Sequence, residues 1–293
     1  MLESQIKYVE LLKTAYEEYL QIYLSEDLKP SLSYLKYEFD FINDKNIGVL
    51  GNEMIVADLR EVTNLLNEWN HLLHRWYSWN TVLESYKEER QDEWEIESEF
   101  VKLIIDKCLF APSRVKDALI NIGIEGFHQI RLATDENYED KIADYDARLP
   151  KLKPQYPSRP MKEKILGKIL SFSNHAEFFD KLSALNGYLY QKQSTQDYRN
   201  LSSHSIAPRI TAGVVSPVNR AIKKMTEMRE NADGSFLEVE IEDEFSVVYS
   251  YGGTEPLDRN ELFEANIEEF KKATGCYDEF KKLLKKTISE IPN

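Results

Sequence analysis

The sequence predicts a mainly α-helical protein, a helical bundle with a small C-terminal β-hairpin and a terminal helix. Three observations lead there. Apolar residues recur at three- and four-residue steps through most of the 293 residues. Alternation of polar and apolar residues is confined to the stretch between Ser235 and Tyr251. The composition, 42% hydrophobic and 12% aromatic, is that of a chain that buries a substantial core.

The elements follow in order. Gln5 to Leu24 places Ile6, Val9, Tyr16, Tyr19, Leu20 and Tyr23 at helical steps. Ser31 to Asn43 reads as a shorter helix, opened by Pro30 and closed near Asn46-Ile47-Gly48. Asn52 to about Glu89 is the longest candidate, its stripe running Ile55, Leu59, Val62, Leu66, Trp69, Leu73, Trp76, Val82, with a break expected near Trp79-Asn80. Glu95 to Phe110 is the next helix, which Pro112 is expected to stop or restart. Ser113 to Thr134 continues as helix, weakened by Gly123 and Gly126. Pro150, Pro154, Pro157 and Pro160 then mark a loop or linker between Asp135 and Pro160. Lys162 to Phe172 and Glu177 to Tyr198 return to helix, and 206–217 is an irregular crossing punctuated by Pro208, Gly213 and Pro217. Asn219 to Arg229 reads as a short basic helix. A hairpin follows, with Ser235 to Ile241 and Phe245 to Tyr251 as strands and Glu242-Asp243-Glu244 as the turn. Leu257 to Ile291 closes as helix, with a break expected at Gly275. This order suggests N-terminal helices over 1–50, a helical domain over 51–230, and hairpin plus last helix over 231–293, packed on the same core.

Charge and cysteine usage narrow the function classes. A net charge of -14 repels polyanions on average, so any nucleic-acid contact needs a local basic patch, and no DNA partner is expected. Cys108 and Cys276 match no metal or redox spacing and read as reduced thiols. Met-Leu-Glu-Ser-Gln lacks the basic start and apolar core of a signal peptide, and no apolar run reaches membrane-spanning length. The expectation is a cytoplasmic protein with no membrane partner. Neither a phosphate-cradling glycine loop nor a nucleophile elbow is found, and nothing calls for a cofactor.

The chemistry concentrates in Arg199-Asn200-Leu201-Ser202-Ser203-His204, expected just after the helix ending at Tyr198. Arg199 supplies a permanent cation that grips phosphate bidentately. His204 supplies an imidazole that takes or gives a proton near neutrality. RNA carries its own nucleophile in the 2'-hydroxyl. A base for that hydroxyl and a cation for the phosphorane therefore make a minimal metal-independent ribonuclease. Asn200 can bond phosphate or hold the histidine. With twelve arginines and five histidines in the chain, a surface Arg and a satisfied helix-end His leave the same pattern. From Gln191 to Arg229 seven cations stand against two carboxylates, a net +5, with Arg209, Arg220, Lys223 and Lys224 as candidate RNA contacts.

The phrase Tyr-Arg-Asn-Leu-Ser-Ser-His-Ser-Ile-Ala-Pro-Arg, in this helical setting, resembles the HEPN superfamily, whose signature is Arg, often a polar residue, then His after four to six intervening residues. It looks most like a long, helix-rich HEPN group typified by a clostridial protein. The resemblance, taken over about Asn52 to Arg229, implies a HEPN-like helical bundle that pairs as a homodimer. The two motifs would face each other across the two-fold axis as one composite endoribonuclease site. Arg199 and His204 would be catalytic and Asn200 supporting. Toxin-type members often carry a tyrosine two residues after the histidine, where Ile206 stands here. Other members are non-catalytic RNA-binding or dimerisation modules, which is the alternative reading.

A second constellation points elsewhere. Glu68-x-x-His71 and Glu125-x-x-His128 have the i, i+3 spacing of ferritin-like di-metal carboxylate proteins, with Glu38 and Glu99 available to complete a set. In a glutamate-rich chain such pairs also arise by chance, and no metal site is assigned.

Overall fold

The structure, a computed structural model, describes residues 3–25, 32–142 and 157–292. Its helices are α1 (Glu3–Tyr23), α2 (Gly51–Ser85), α3 (Arg90–Ile96), α4 (Lys102–Thr134), α5 (Arg159–Ile169), α6 (Ala176–Ala184), α7 (Tyr198–His204) and, after two strands, α8 (Arg259–Ser289). The strands β1 (Val218–Glu230) and β2 (Phe236–Tyr251) form one antiparallel ribbon. The architecture is thus mainly α with a small hairpin and a terminal helix, as the periodicities predict. Most of the expected linker (143–156) lies outside the described residues.

The chain divides into two compact units, Met1–Thr195 with Asn260–Asn293, and Gln196–Arg259. In the first, α2 carries the core. Its stripe from Ile55 to Trp79 is buried, and its tryptophans choose the partners. Trp69 and Trp76 meet Phe270 and Phe263 of α8 edge-on, with ring centroids 5.3 and 5.4 Å apart. Trp79 is stacked between Tyr19 of α1 (4.5 Å) and Phe100 (4.6 Å). The expected break at Trp79-Asn80 is absent, because this sandwich needs an unbroken helix behind it. On the far side of the core, Phe280 of α8 gathers Phe127 of α4 and Phe178 of α6.

Several local expectations are corrected. Residues 32–39 are not helical, and only a 3-10 turn follows, at Asp40–Asp44. The α2 side chain of Asn67 holds this segment extended by accepting from Leu35 N (2.8 Å) and donating to Leu35 O (3.0 Å), a pairing incompatible with a helix there. Pro112 lies inside α4 without ending it. An interior proline costs about 3 kcal/mol, and the burial of Cys108, Leu109, Ala111 and Val115 around it offsets that. Gly123 is a packing residue: a β-carbon there would stand 2.9 Å from Leu166 of α5. Likewise α8 runs unbroken through Gly275, flanked by buried Phe270, Tyr277 and Phe280. The helix expected from Glu177 to Tyr198 is interrupted after Ala184, where Asn186 turns left-handed (φ 52°) and gives its N–H to buried Glu269 at 2.8 Å, and it resumes only as a short π-helical stretch at Leu189–Ser194.

In the second unit, Asn219 to Arg229 is not a helix but most of β1. Its lysines, methionines and alanine suit a helix locally, yet β2 offers a full ladder of partners, and strand preference follows context. The turn is at Asn231–Ser235, closed by Asn231 N to Ser235 O (2.7 Å) and Gly234 N to Asn231 O (3.0 Å) with Gly234 at φ +82°. The expected turn residues 242–244 instead lie within β2. There Lys224 pairs with Phe245 and Thr226 with Glu240, so Met225 alone stands opposite Ile241 to Glu244. The irregularity read from the sequence is a bulge, with Asp243 left-handed at φ +58°. Bridges Ile210–Leu257 and Val215–Thr254 tie the 206–217 crossing to the chain leaving the ribbon.

Candidate functional site

The hexapeptide does not follow a long helix; it makes up nearly all of α7. Gln196 (φ 46°) and Asp197 (φ 60°) are both left-handed, which ends the preceding structure and starts a new helix at Tyr198. Tyr198 is buried and Leu201 half-buried, three residues apart and so on one face. Arg199, Asn200, Ser202, Ser203 and His204 are exposed.

Helical geometry sets their order. At 3.6 residues per turn, five steps separate Arg199 from His204 by about 140° around the axis. They form the two edges of an outward arc whose middle carries Ser203 and Asn200. Asn200 Nδ2 donates to Asp197 Oδ2 at 3.3 Å, and Ser203 Oγ donates to the Arg199 carbonyl at 2.9 Å. No hydrogen bond or ion pair engages the Arg199 guanidinium or the His204 imidazole among the described residues. A free cation, an anchored amide and a free imidazole are therefore presented to solvent on one short helix.

The candidate RNA contacts divide between the 206–217 crossing and the two faces of the ribbon. Arg209 is exposed in the 206–217 crossing, its carbonyl accepting from Leu257 N at 2.8 Å. The pleat puts Arg220 and Lys224 on one face of the ribbon and Lys223 on the other. Lys224 is paired with Glu240 at 3.2 Å. The net +5 along 191–229 did not include β2, which returns antiparallel carrying Glu238, Glu240, Glu242, Asp243 and Glu244.

Nor are the Glu-x-x-His residues brought together. His71 Nδ1 bonds the Tyr23 hydroxyl at 3.0 Å, and burial lowers the pKa of His71. Both nitrogens of buried His128 are taken, Nδ1 by the Tyr138 hydroxyl (2.8 Å) and Nε2 by Asp140 (2.9 Å). Glu99 accepts from Tyr8, and Glu38 faces Lys36. Among the described residues no group of three or more His, Cys, Asp or Glu is placed to hold a metal ion. Cys108 and Cys276 are free and buried, and burial pushes the Cys276 thiol up to about 12 and Cys108 higher still, so neither is a ready nucleophile.

Two features have no sequence signature. Asp58 of α2 keeps Oδ2 buried without a hydrogen-bond partner, and burial with nearby Glu125 lifts its carboxyl to about 6. An open cleft lined by Lys181, Lys281, Lys282 and Lys285 with Glu38 and Asp278 has three of its lysines already paired with carboxylates. No helix among the described residues is long and apolar enough to cross a membrane. Comparison with protein-family models, curated proteins and solved structures finds no match to this chain.

Proposed function

We propose that this protein is a HEPN-like, metal-independent endoribonuclease that acts on RNA in the cytoplasm as a homodimer. The observation supporting this reading is the outward arc of α7, where Arg199 and His204 are exposed and unengaged on either side of Asn200. Their divergence on one short helix fits a composite site, in which the cation of one subunit serves the base of its twin.

The chemistry then runs without a cofactor. His204 accepts the proton of the ribose 2'-hydroxyl as that oxygen attacks the adjacent phosphorus. Arg199 bonds the equatorial oxygens and stabilises the charge that develops on the phosphorane. The 5'-oxygen leaves with a proton, from the second imidazole of the dimer or from water, and the other product is a 2',3'-cyclic phosphate. Asn200, held by Asp197, offers an N–H to a neighbouring phosphate. Arg209, Lys223 and Arg220, exposed and free of ion pairs among the described residues, are the cations offered to flanking phosphates, whereas Lys224 is paired with Glu240.

The test is cleavage of a labelled mixed-sequence RNA in excess EDTA by wild type, His204→Ala and Arg199→Ala. Cleavage that leaves cyclic-phosphate ends and is lost in both variants is the expected result. A folded, dimeric wild type that binds the RNA and never cuts it would move the protein to the non-catalytic module class. Cleavage retained by both variants places the chemistry outside α7.

A further inference from the structure

The β1–β2 ribbon carries an exposed face that combines apolar and aromatic residues with segregated charge. On it Val218, Arg220, Ile222 and Lys224 stand opposite Tyr251, Tyr249, Val247 and Phe245. All are exposed, Tyr251 at 94%, Tyr249 at 68% and Ile222 at 66%. Beyond the bulge the same face continues with Thr226, Met228 and Glu230 opposite Glu240, Glu238 and Phe236. Met228 and Phe236 are exposed there too, at 64% and 61%. Soluble proteins keep such contiguous apolar surface where something covers it. A lone two-stranded ribbon is moreover marginal in water, and among the described residues neither of its edges pairs with a further strand.

The charges say what covers it. They are segregated along the ribbon, with the bulge as the divide. The half formed by 218–224 and 245–251 carries Arg220, Lys223 and Lys224 and no carboxylate. The half formed by 225–244 carries eight carboxylates and one cation, Arg229. The two halves meet at the Lys224–Glu240 pair (3.2 Å), while Arg220 has no ion-pair partner among the described residues. RNA would meet a cationic, aromatic half and a strongly repelling acidic half on one strip. A second ribbon laid antiparallel would meet its complement at both ends.

We propose that this face pairs with the same face of a second copy of the chain, antiparallel, about a two-fold axis near Met225. In that arrangement Lys224 of each ribbon lies over Glu240 of the other and Arg220 over Glu230, with Glu238 between them, while Tyr249 lies over Phe236 and Tyr251 over the 231–235 turn. The contact is isologous and closed, so it makes a dimer and not a fibre. It stands on the ribbon's own residues and does not depend on the ribonuclease reading.

Sedimentation of the full chain tests it through a charge swap. Wild type is expected to be dimeric. Arg220→Glu with Lys224→Glu makes both halves acidic, and Glu238→Lys with Glu240→Lys makes the face cationic at both ends. Each double variant alone is expected to be a monomer with an unchanged circular-dichroism spectrum, and an equimolar mixture of the two is expected to regain the dimer. Tyr249→Ser with Tyr251→Ser, which leaves every charge in place, is expected to weaken the dimer about ten-fold or more. A monomeric wild type overturns the proposal, and if its binding of labelled single-stranded RNA is lost on Arg220→Glu with Lys224→Glu, the face belongs to nucleic acid. Charge variants that remain dimeric overturn it as well, placing the dimer contact elsewhere and leaving the α7 site untouched. A mixture of folded variants that fails to pair removes the antiparallel arrangement.

Discussion

Arg199 and His204 lie near opposite ends of one short helix, their side chains about 140° apart around its axis, each exposed and neither engaged by a neighbour among the described residues. Two groups so disposed leave the helix in different directions. In a two-fold dimer, by contrast, Arg199 of one subunit and His204 of the other can share a groove. Mixing the two inactive variants then becomes decisive. Arg199→Ala and His204→Ala, combined and allowed to exchange subunits, form mixed dimers with one intact Arg–His pairing each. Recovery of about a quarter of wild-type cleavage is expected, since half the dimers are mixed and each keeps one of two pairings. A mixture as inactive as its components would show that both groups must come from one chain.

Asp58 gives the stability of the helical unit a pH dependence of definite sign. Burial, and then the charge of Glu125, raise its carboxyl from 3.8 to about 6. The folded state therefore holds this proton more tightly than the unfolded chain. The resulting stabilisation is complete below 3.8 and is lost as pH rises through about 6. Asp58→Asn keeps the shape and removes the charge. It is expected to be more stable than wild type at pH 7.5 by on the order of 1 kcal/mol, allowing for solvent screening. Near pH 4 the difference should vanish. Thermal melts of both proteins from pH 4 to 8 measure it; an equal offset at every pH would assign the effect to packing instead of titration.

The long helices were legible because their apolar stripes repeat over many turns, and the burial of Ile55 through Trp79 shows that the period was the right signal. What the sequence hid was decided by groups distant along the chain. Residues 32–39 look helical until Asn67 binds the backbone of Leu35. Lys223, Lys224 and Met225 look helical until β2 pairs with them. The 242–244 triplet signalled a reversal and produced a bulge, since the same left-handed residue serves either. The hexapeptide itself was visible as a cluster of cation, amide and imidazole. Its helix was not, because the left-handed pair Gln196-Asp197 that isolates it has no compositional mark. The local charge count is incomplete for a similar reason: a count along the chain omits the carboxylates of the strand that comes back beside it.

The contact between α2 and α8 includes a buried polar knot. The hydroxyls of Thr63 and Tyr277 are 2.7 Å apart, and both also reach the Leu59 carbonyl, at 2.9 and 3.3 Å. Burial pushes the Tyr277 hydroxyl up to about 12, so it stays a neutral donor through the physiological range. Tyr277→Phe removes that hydroxyl and leaves Thr63 bonded to Leu59. The expected cost is about 1 kcal/mol, read as a lower urea midpoint with an unchanged slope. Thr63→Val is expected to cost more, because it strips the shared partner and leaves the tyrosine with its long bond alone. The reverse order would mean that ring packing, and not the hydroxyl pair, carries the contact.

His128 pins the segment after α4. Its two nitrogens bond Tyr138 and Asp140, and the Arg131 guanidinium sits 4.3 Å over the Tyr138 ring. The histidine is buried while Asp140 is largely exposed, so the carboxylate regains water at little cost once the bond is gone. His128→Phe fills the same space and removes both bonds. Global stability is expected to fall by about 1–2 kcal/mol, whereas amide exchange should accelerate about ten-fold or more in residues 135–142 and stay unchanged in the middle of α4. The same commitment of both nitrogens predicts that zinc added to wild type leaves the melting temperature where it was, since a metal would first have to displace Tyr138 or Asp140. A zinc-dependent rise that disappears in His128→Phe would show instead that the imidazole is free to ligate, and would return the Glu-x-x-His pairs to consideration.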